Sequence, residues 1–311
     1  MIKRVFGIML CICMMVTLLP ATAWAIDYHD LNVAGTNVVG ENNITYWLCN
    51  TDGTITSTGA SEDNYNVKFD PTATPTTLTL NNAAIVCDTK EPIYSEDDLT
   101  IKLVGTNTVT TTSMGSAIYV YRKDFTFEGG GTLNATGSGR CIPADGGNIV
   151  VISGATVNAT GTGNNSFGIY SSFNDGSGGN ITISSATVTA KGETYGICAS
   201  NSINISDSTV TATAATTRNG VSAHGISSDS SSISITGSTV TVTAECINHG
   251  SFGISCSFFN DAKITITDST VTVKTVAAEG YSNKAKALSD APEFGATLLT
   301  GTNGRLTRTV R

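Results

Sequence analysis

The sequence has little charge and few aromatic side chains. Only 14% of its 311 residues are Asp, Glu, Lys or Arg, and 7% are Phe, Trp or Tyr. The 17 Lys and Arg residues are outnumbered by 25 Asp and Glu residues, which gives a net charge of −8 at neutral pH. Nucleic-acid binding needs clustered cationic side chains, so this composition argues against a nucleic-acid partner. The six cysteines from Cys49 onward lack CxxC or any other metal-ligand spacing, which argues against a zinc site.

Long apolar runs are also absent, except at the N-terminus. Lys3 and Arg4 precede an apolar run over residues 5–19, and Ala23 and Ala25 then occupy the two positions that a signal peptidase inspects. This order predicts a secretory signal peptide over residues 1–25. No second apolar run follows, so we expect an extracellular protein, secreted or associated with the cell surface. After signal cleavage we expect no membrane span.

Six cysteines follow the predicted signal peptide: Cys49, Cys87, Cys141, Cys198, Cys246 and Cys256. An even number in an exported chain permits disulfides. Their sequence neighbours equally suit buried free thiols, and the spacing does not decide between the two states. Cys246 and Cys256 are the closest in sequence and the first pair to test for a bond.

The abundant residues are Thr, Ser, Asn, Gly, Val and Ile, and they form a repeated phrase. It occurs as NITISSATVTAKG from residue 180, SINISDSTVTATA from 202, SISITGSTVTVTA from 232 and KITITDSTVTVKT from 263. One apolar residue anchors each copy, and with degenerate earlier copies the anchors are Ile85, Val109, Leu133, Val157, Val188, Val210, Val240 and Val271. They are 22–31 residues apart, a period typical of solenoid proteins.

A second phrase lies between the anchors. An aromatic or polar residue followed by Gly-Ile occurs at 167–169, 195–197, 224–226 and 252–254, with degenerate forms at 116–118 and 140–142. Each repeat therefore has three short alternating segments separated by turn residues. This pattern predicts an all-β, right-handed parallel β-helix of about eight coils, each pairing with the coils above and below. A β-sandwich is the alternative, but the likeness of the repeats favours the solenoid.

The ends of the chain depart from the repeat. Residues 26–76 contain Trp47 and a run rich in Pro and Thr, and we interpret them as an N-terminal β cap. The repeats occupy residues 77–275, and residues 276–311 are predicted to form an incomplete last coil and a C-terminal tail. Caps are expected because a solenoid exposes unpaired strand edges at both ends.

Two coils carry insertions at the same corner, after the Gly-Ile strand: YSSFNDGSGG at 170–179 and SCSFFNDA at 255–262. Insertions on one corner of a solenoid commonly form its binding face. Aromatic rings can stack on sugars, while Asn and Asp can bind hydroxyls or Ca²⁺. The predicted carbohydrate-binding residues are Tyr170, Phe173, Asn174, Asp175, Phe258, Phe259, Asn260 and Asp261, with Asp175 and Asp261 as Ca²⁺ candidates. Alternatively, the Phe residues cover the core and Asn-Asp makes the turn. Tyr119 and Tyr121 are candidates to extend the same platform.

Pairs of threonines flank the later anchors: Thr187/Thr189, Thr209/Thr211, Thr239/Thr241 and Thr270/Thr272. Stacked coils would align them into two files, which Asn158 interrupts. Such T-x-T arrays resemble those of ice-binding solenoids, although threonine is favoured on any exposed strand. At the neighbouring turn, Asp207 and Asp268 stand where other copies have Gly154 and Gly237, which indicates turn geometry rather than a metal site.

The segments DYHDLNVAGTNVV, YNVKFDPTATPTTLTLNNAAI and KALSDAP, with the Gly-Ile coils, resemble exported β-helix repeat proteins of Gram-positive anaerobes. Some of these are grouped as calcium-assisted carbohydrate-binding domains on the scaffold of pectate lyases and polygalacturonases. The resemblance implies the solenoid fold, export and contact with polysaccharide of a plant, a host or the producer's own envelope, with Ca²⁺ as a candidate cofactor. Adhesins use the same fold, so a stalk that binds a protein partner remains an alternative.

Enzymes on this scaffold carry carboxylate pairs and a Gly-His-Gly, of which this chain has only fragments. These are Asn50-Thr51-Asp52, Asp97-Asp98 and His224-Gly225. Hydrolysis requires two carboxyl groups roughly 6.5–9.5 Å apart, but these fragments belong to distant repeats. His224 also occupies the slot of Phe167 and Tyr195, and no cluster of aspartates accompanies the arginines. We therefore expect a non-catalytic protein, with a polysaccharide lyase or hydrolase as the alternative.

Overall fold

The computed structural model describes residues 31–38, 43–88, 91–171, 178–256 and 262–277, and the strands at 285–289, 297–300 and 305–310. These residues form three sheets. Sheet I contains β3 (Thr45–Cys49), β4 (Ile55–Thr56), β5 (Val67–Asp70), β6 (Thr76–Asn81), β9 (Leu99–Val104), β12 (Phe125–Glu128), β15 (Ile149–Val151), β18 (Ile181–Ser184), β21 (Ile203–Ser206), β24 (Ile233–Thr236), β27 (Lys263–Thr267) and β30 (Thr297–Thr300).

Sheets II and III complete each coil. Sheet II contains β7 (Ala84–Cys87), β10 (Thr106–Thr111), β13 (Thr132–Gly137), β16 (Thr156–Gly161), β19 (Thr187–Gly192), β22 (Thr209–Thr216), β25 (Thr239–Cys246), β28 (Thr270–Ala277) and β31 (Arg305–Val310). Sheet III contains β1 (Leu31–Val33), β2 (Thr36–Asn37), β8 (Ile93–Ser95), β11 (Ile118–Tyr121), β14 (Arg140–Asp145), β17 (Phe167–Ser171), β20 (Tyr195–Ala199), β23 (Ala223–Ser228), β26 (Ser251–Cys256) and β29 (Ala285–Ser289).

The strands confirm the predicted right-handed parallel β-helix. From β6 to β29 the chain visits sheets I, II and III in turn eight times, and β30 and β31 begin a ninth coil. Every pair between successive coils is parallel, which requires right-handed crossovers in nearly all known cases. The alternating residues Ile181 and Ile183, and their equivalents in other coils, point inward and are completely buried. They form one continuous core along the solenoid.

The anchor residues stack as expected except between the second and third coils, and Ile85 aligns with Val109 as predicted. Leu133 aligns with Val157, and the later anchors follow in register through Val271. Below Leu133, however, the neighbour is Asn107, and Val109 aligns with Ala135. The predicted alignment was therefore two residues out between the second and third coils. Asn107 and Val109 are both inward-facing, buried residues of β10, so period-two alternation alone does not show which of them aligns with Leu133.

Asn107 takes the anchor position because its amide satisfies backbone groups at the bend before β10. It is completely buried. Its Oδ1 accepts a hydrogen bond from the N–H of Ala83 at 2.9 Å, and its Nδ2 donates to the carbonyls of Val104 and Thr132, both at 3.2 Å. Buried backbone groups need such partners, so a polar residue is stable at this position in the core.

The N-terminal strands pair differently from the coils. β5 joins β6 antiparallel, β3 joins β5, and β4 joins β3, so this part extends sheet I beyond the first coil. β1 joins β8 antiparallel at the same end of sheet III. Trp47 in β3 is buried with this part of the core. The antiparallel strands cover the ladder edges of the first coil in sheets I and III, which would otherwise be open to pairing. The boundaries of the signal peptide, cap and tail remain predictions.

The corner between sheets I and II depends on left-handed backbone geometry. Asp207 and Asp268 have φ of 49° and 48°, and Gly237 at the equivalent place has φ of 59°. Glycine, asparagine and aspartate tolerate this region better than other residues. The exchange of Gly and Asp at this turn therefore reflects backbone conformation, as predicted.

The corner before sheet I carries a ladder of polar side chains. Asp124 Oδ1 accepts the N–H of Asn148 at 2.8 Å, and Asn148 Oδ1 in turn accepts the N–H of Asn180 at 2.8 Å. Asp98 and Ser202 continue the same arrangement below and above. A side chain of each of these coils thus accepts a hydrogen bond from a backbone N–H of the next coil, at the corner where the chain enters sheet I.

None of the six cysteines that the structure describes forms a disulfide bond, and all except Cys49 are buried. Cys246 and Cys256 do not form the bond that their spacing suggested. Burial raises the pKa of Cys141 to about 12. Such thiols behave as small apolar side chains and are poor nucleophiles.

Candidate functional site

Sheet III carries a stack of aromatic rings on its outer face. The aromatic-Gly-Ile phrases of four successive coils place Phe167, Tyr195, His224 and Phe252 in register. Neighbouring ring centroids are 4.9, 4.8 and 4.8 Å apart, and the rings are within 18° of parallel. Because consecutive rings cover one another's faces, the stack presents ring edges to solvent.

The glycine after each ring is required by close backbone approach. A Cβ at Gly168 would lie 2.6 Å from the carbonyl oxygen of Gly196, and one at Gly196 would lie 2.6 Å from that of Gly225. Real Cβ atoms do not approach this closely, so any side chain here would force the coils apart. This contact explains why the aromatic-Gly-Ile phrase recurs.

Tyrosines continue the same face toward the N-terminal coils. The ring centroids of Tyr94 and Tyr119 are 5.6 Å apart, and those of Tyr119 and Tyr121 are 6.2 Å apart. All three rings are half-buried, and they meet at angles of 55° and 67° rather than in parallel. Tilted rings leave parts of their faces open, in contrast to the stack.

A charged cluster joins the tyrosines to the ring stack. Arg140 Nη1 lies 3.0 Å from Asp145 Oδ1, and Tyr119 donates its hydroxyl to Asp145 Oδ2 at 2.8 Å. The Arg140 guanidinium also lies 4.3 Å from the ring centroid of Tyr170 and 5.9 Å from that of Phe167. These are cation–π distances. Burial and the hydrogen bond to Asp145 raise the pKa of Tyr119, so its hydroxyl stays protonated at neutral pH.

We name the outward side chains of Tyr94, Tyr119, Tyr121, Arg140 and Asp145 the tyrosine cluster. Tyr119 and Tyr121 were predicted from the sequence, whereas Tyr94, Arg140 and Asp145 were not. Tyr94 could have been found, because Ile93-Tyr94 and Ile118-Tyr119 occupy the same register position in adjacent coils. Arg140 and Asp145 gave no such signal, since their pairing depends on the length of β14.

Of the eight carbohydrate-binding residues predicted at the insertions, the structure describes only Tyr170. It lies in β17, 8% exposed, between Pro143 and Cys198 of the adjacent coils. Its ring meets that of Phe167 edge-on at 4.7 Å. Tyr170 is therefore packed in the face itself rather than in the insertion. The other predicted residues lie outside the described residues: Phe173, Asn174, Asp175, Phe258, Phe259, Asn260 and Asp261.

The flanks of both insertions are nevertheless defined. β17 ends at Ser171 and β26 ends at Cys256, so both insertions leave sheet III at its corner with sheet I. They follow strands of the face that carries the ring stack. Among the described residues no three His, Cys, Asp or Glu side chains could hold a metal ion together. The two Ca²⁺ candidates, Asp175 and Asp261, are not among those residues.

The residues that suggested an enzyme have structural partners. Asp52 Oδ1 accepts hydrogen bonds from the N–H and hydroxyl of Thr54, and Asp98 Oδ1 accepts the N–H of Asp124. His224 is in the ring stack, as its repeat position predicted, and burial lowers its pKa to about 4. Asp98 precedes the second coil and His224 lies in the sixth, which places them roughly 19 Å apart along the solenoid at ~4.8 Å per coil.

No helix capable of crossing a membrane occurs in the part of the chain that the structure describes. In comparisons with known proteins, no family model, curated protein or solved structure matches this chain.

Proposed function

We propose that this protein is exported, is not an enzyme, and contacts extracellular polysaccharide through the outer face of sheet III. The observation that carries the proposal is the tyrosine cluster, where the half-buried rings of Tyr94 and Tyr121 both lie within 6.2 Å of the Tyr119 ring, beside a charged pair. Sugars are bound by open aromatic faces together with fixed hydrogen-bonding groups.

Two features of the chain support this assignment. The insertions after β17 and β26 adjoin the same sheet, so Phe173 and Phe259 would extend a site that begins on its strands. The sequence also resembles exported β-helix proteins grouped as calcium-assisted carbohydrate-binding domains. On that basis Ca²⁺ is the proposed cofactor, held by Asp175 and Asp261 in the insertions.

A stalk that binds a protein partner is the second candidate. The stacked rings favour it, because they are used to join coils and offer only edges to a ligand. A long, rigid solenoid with few open rings would act as a spacer or an adhesive surface. Catalysis is not favoured, because the carboxylates that resemble active-site motifs stabilise turns.

A retention assay tests the proposal. Purified residues 26–311 are incubated with insoluble and immobilised polysaccharides, with Ca²⁺ or with a chelator, and the supernatants are assayed for reducing ends and unsaturated sugars. We expect retention without product. Loss of retention on chelation would support the Ca²⁺ assignment, whereas released product would overturn the non-catalytic assignment.

Matched variants locate the site. Tyr94→Ala combined with Tyr121→Ala should reduce retention at least tenfold, and Phe173→Ala combined with Phe259→Ala should reduce it as well. Tyr65→Ala is the control, because Tyr65 is also half-buried and packs on another tyrosine, Tyr46, outside sheet III. Retention that is absent for every polysaccharide, or unchanged in both double variants, would favour the stalk.

A further inference from the structure

The outer face of sheet II is a nearly pure threonine surface. The first three outward positions of each sheet II strand from β10 to β28 align from coil to coil, 21 in all. The longer strands β22, β25 and β28 have a fourth outward position, held by Ala215, Glu245 and Val276. Threonine occupies 17 of the 21 aligned positions, and the other four are Asn134, Asn158, Lys191 and Lys274. We name this surface the threonine face.

The predicted pair of threonine files lies within this face. From β19 to β28 the first outward column reads Thr187, Thr209, Thr239 and Thr270, and the second reads Thr189, Thr211, Thr241 and Thr272. In the second column Asn134 and Asn158 precede them and hydrogen-bond to each other at 2.9 Å. The threonines of these four coils therefore form an uninterrupted two-dimensional array.

The array is regular and rigid in both directions. Equivalent threonines in adjacent coils are ~4.8 Å apart, and alternate threonines along one strand are roughly 6.7 Å apart. Threonine is branched at Cβ, so few χ1 rotamers are open to it and its methyl and hydroxyl take repeated positions. The inward residues between them, such as Val188 and Val210, are buried in the continuous core and hold the backbone in place.

The charge of the face points to an uncharged ligand. None of the 21 positions carries a carboxylate, although the chain has 25 acidic residues and a net charge of −8. The two lysines lie in the third outward column, and the Nζ of Lys274 lies 2.6 Å from Glu245 at the margin of the face. The first two outward columns contain only Thr and Asn and carry no charge, so on this acidic protein they are complementary to a neutral partner rather than to an ion or a polyelectrolyte.

The composition of the face excludes most macromolecular ligands. Its 21 positions include no aromatic ring to stack on a sugar, no arginine to bind phosphate, and no large apolar side chain to anchor a protein interface. The regular array of threonine methyl and hydroxyl groups instead suits a ligand whose own surface repeats in two dimensions. Crystalline water has that property, because its surface planes are lattices of oxygen atoms.

We propose that the threonine face binds ice. The methyl groups would order water above the face, and the hydroxyls would join that water to the lattice through hydrogen bonds. No bond is made or broken, and the activity is independent of the polysaccharide contact, which uses sheet III.

The test is ice recrystallisation and crystal shaping with residues 26–311 in dilute buffer. We expect the protein to slow recrystallisation and facet the crystals at concentrations where albumin does not. Thr189→Tyr combined with Thr241→Tyr places two bulky rings in the middle of the array and should reduce activity to that of albumin. Thr182→Tyr combined with Ser234→Tyr is the control, because these outward residues belong to sheet I of the same two coils.

Each outcome decides the proposal. Activity that the control retains and the Thr189/Thr241 variant loses supports it. If the tyrosines unfold the chain, as judged by circular dichroism, Thr189→Ser with Thr241→Ser removes only the methyls and should still lower activity. A wild-type protein no more active than albumin overturns the proposal, and so does equal loss in the sheet I control.

Discussion

At the residue scale, backbone contacts between coils explain the bland repeated phrase. The glycines of the aromatic-Gly-Ile phrase lie against one another's carbonyl groups, and Asn107 replaces an apolar anchor because it bonds three backbone groups. At the glycines and at Asn107, contacts with the adjacent coil determine which residue type fits, rather than the conformation of the residue's own strand. Changes at these sites should therefore be costlier than changes at exposed positions of equal size.

Gly196→Ala tests this reasoning. The added Cβ would lie 2.6 Å from the Gly225 carbonyl oxygen and 2.8 Å from the Thr213 nitrogen. We expect the free energy of unfolding to fall by about 2 kcal/mol, in the range of overpacked cores, as measured by urea denaturation. Gly130→Ala is the control, because a Cβ added at Gly130 would meet no atom within 4 Å and the φ of this residue is not left-handed. Equal stability of the two variants would contradict the close-contact explanation.

At the element scale, the ring stack joins four strands of sheet III through one column of side chains. Aromatic rings tolerate this packing at the coil spacing because they stack almost in parallel. His224 is the exception, since it titrates. It lies between Tyr195 and Phe252, with Nδ1 3.2 Å from the Ser255 hydroxyl. Protonation of His224 should therefore reduce the contribution of the ring stack to folding stability at low pH.

The pH dependence of stability should reveal His224. Burial lowers its pKa from 6.5 to about 4, so between these values the unfolded chain binds the proton and the folded chain does not. Above pH 6.5 the shifted pKa of His224 therefore does not lower the free energy of unfolding. As the pH falls toward 4, protonation of the unfolded chain lowers that free energy by at most about 3 kcal/mol. His224→Phe keeps the stack without the titration.

The measurement is the free energy of unfolding of both proteins between pH 7.5 and 4. Acidic residues affect the two proteins alike, so the difference between them isolates His224. We expect the variant to gain stability relative to the wild type as the pH falls. A pH-independent difference would show that His224 does not change its pKa on folding.

At the scale of the whole molecule, the solenoid is a series of coils that interact with their neighbours only. The two outer faces described above lie on different sheets, so ligand contact on one need not alter the other. Stability in such a protein is approximately a sum over coils and their interfaces. The chain should thus tolerate loss of one complete repeat but not loss of register.

Deletion of residues 188–209 tests this view. The 22 residues span one period, so Thr187 is joined to Val210, the residue that replaces Val188 in the column. We expect a folded β-helix with unchanged circular dichroism per residue and a Tm lowered by a few degrees. Deletion of residues 189–209 joins Val188 to Val210 and reverses the alternation of the strand, so it should aggregate or unfold. Similar behaviour of the two deletions would contradict a register-dependent core.

The repeat alone determined the architecture of this protein. Ile, Val and Gly recur at fixed places in the later copies, and only stacked coils can bury an apolar stripe that each coil is too small to bury alone. The three strands per coil, the corner of the insertions, the turn role of Asp207, the repeat position of His224 and the threonine files all followed from that periodicity. These features depend only on where a residue lies within its own repeat, and in a regular solenoid the same position in each repeat has the same structural environment.

Tertiary structure decided the features that depend on contacts between coils. The two-residue shift at Asn107 could not be read from alternation, because both candidate positions of β10 face inward. The tyrosine cluster unites residues from three coils whose spacing differs, and the Arg140–Asp145 pair has no periodic signature. Tyr170 belonged by sequence to an insertion, yet it is buried in the sheet. Side-chain partners across coils are set by register and packing, which the repeat constrains but does not specify.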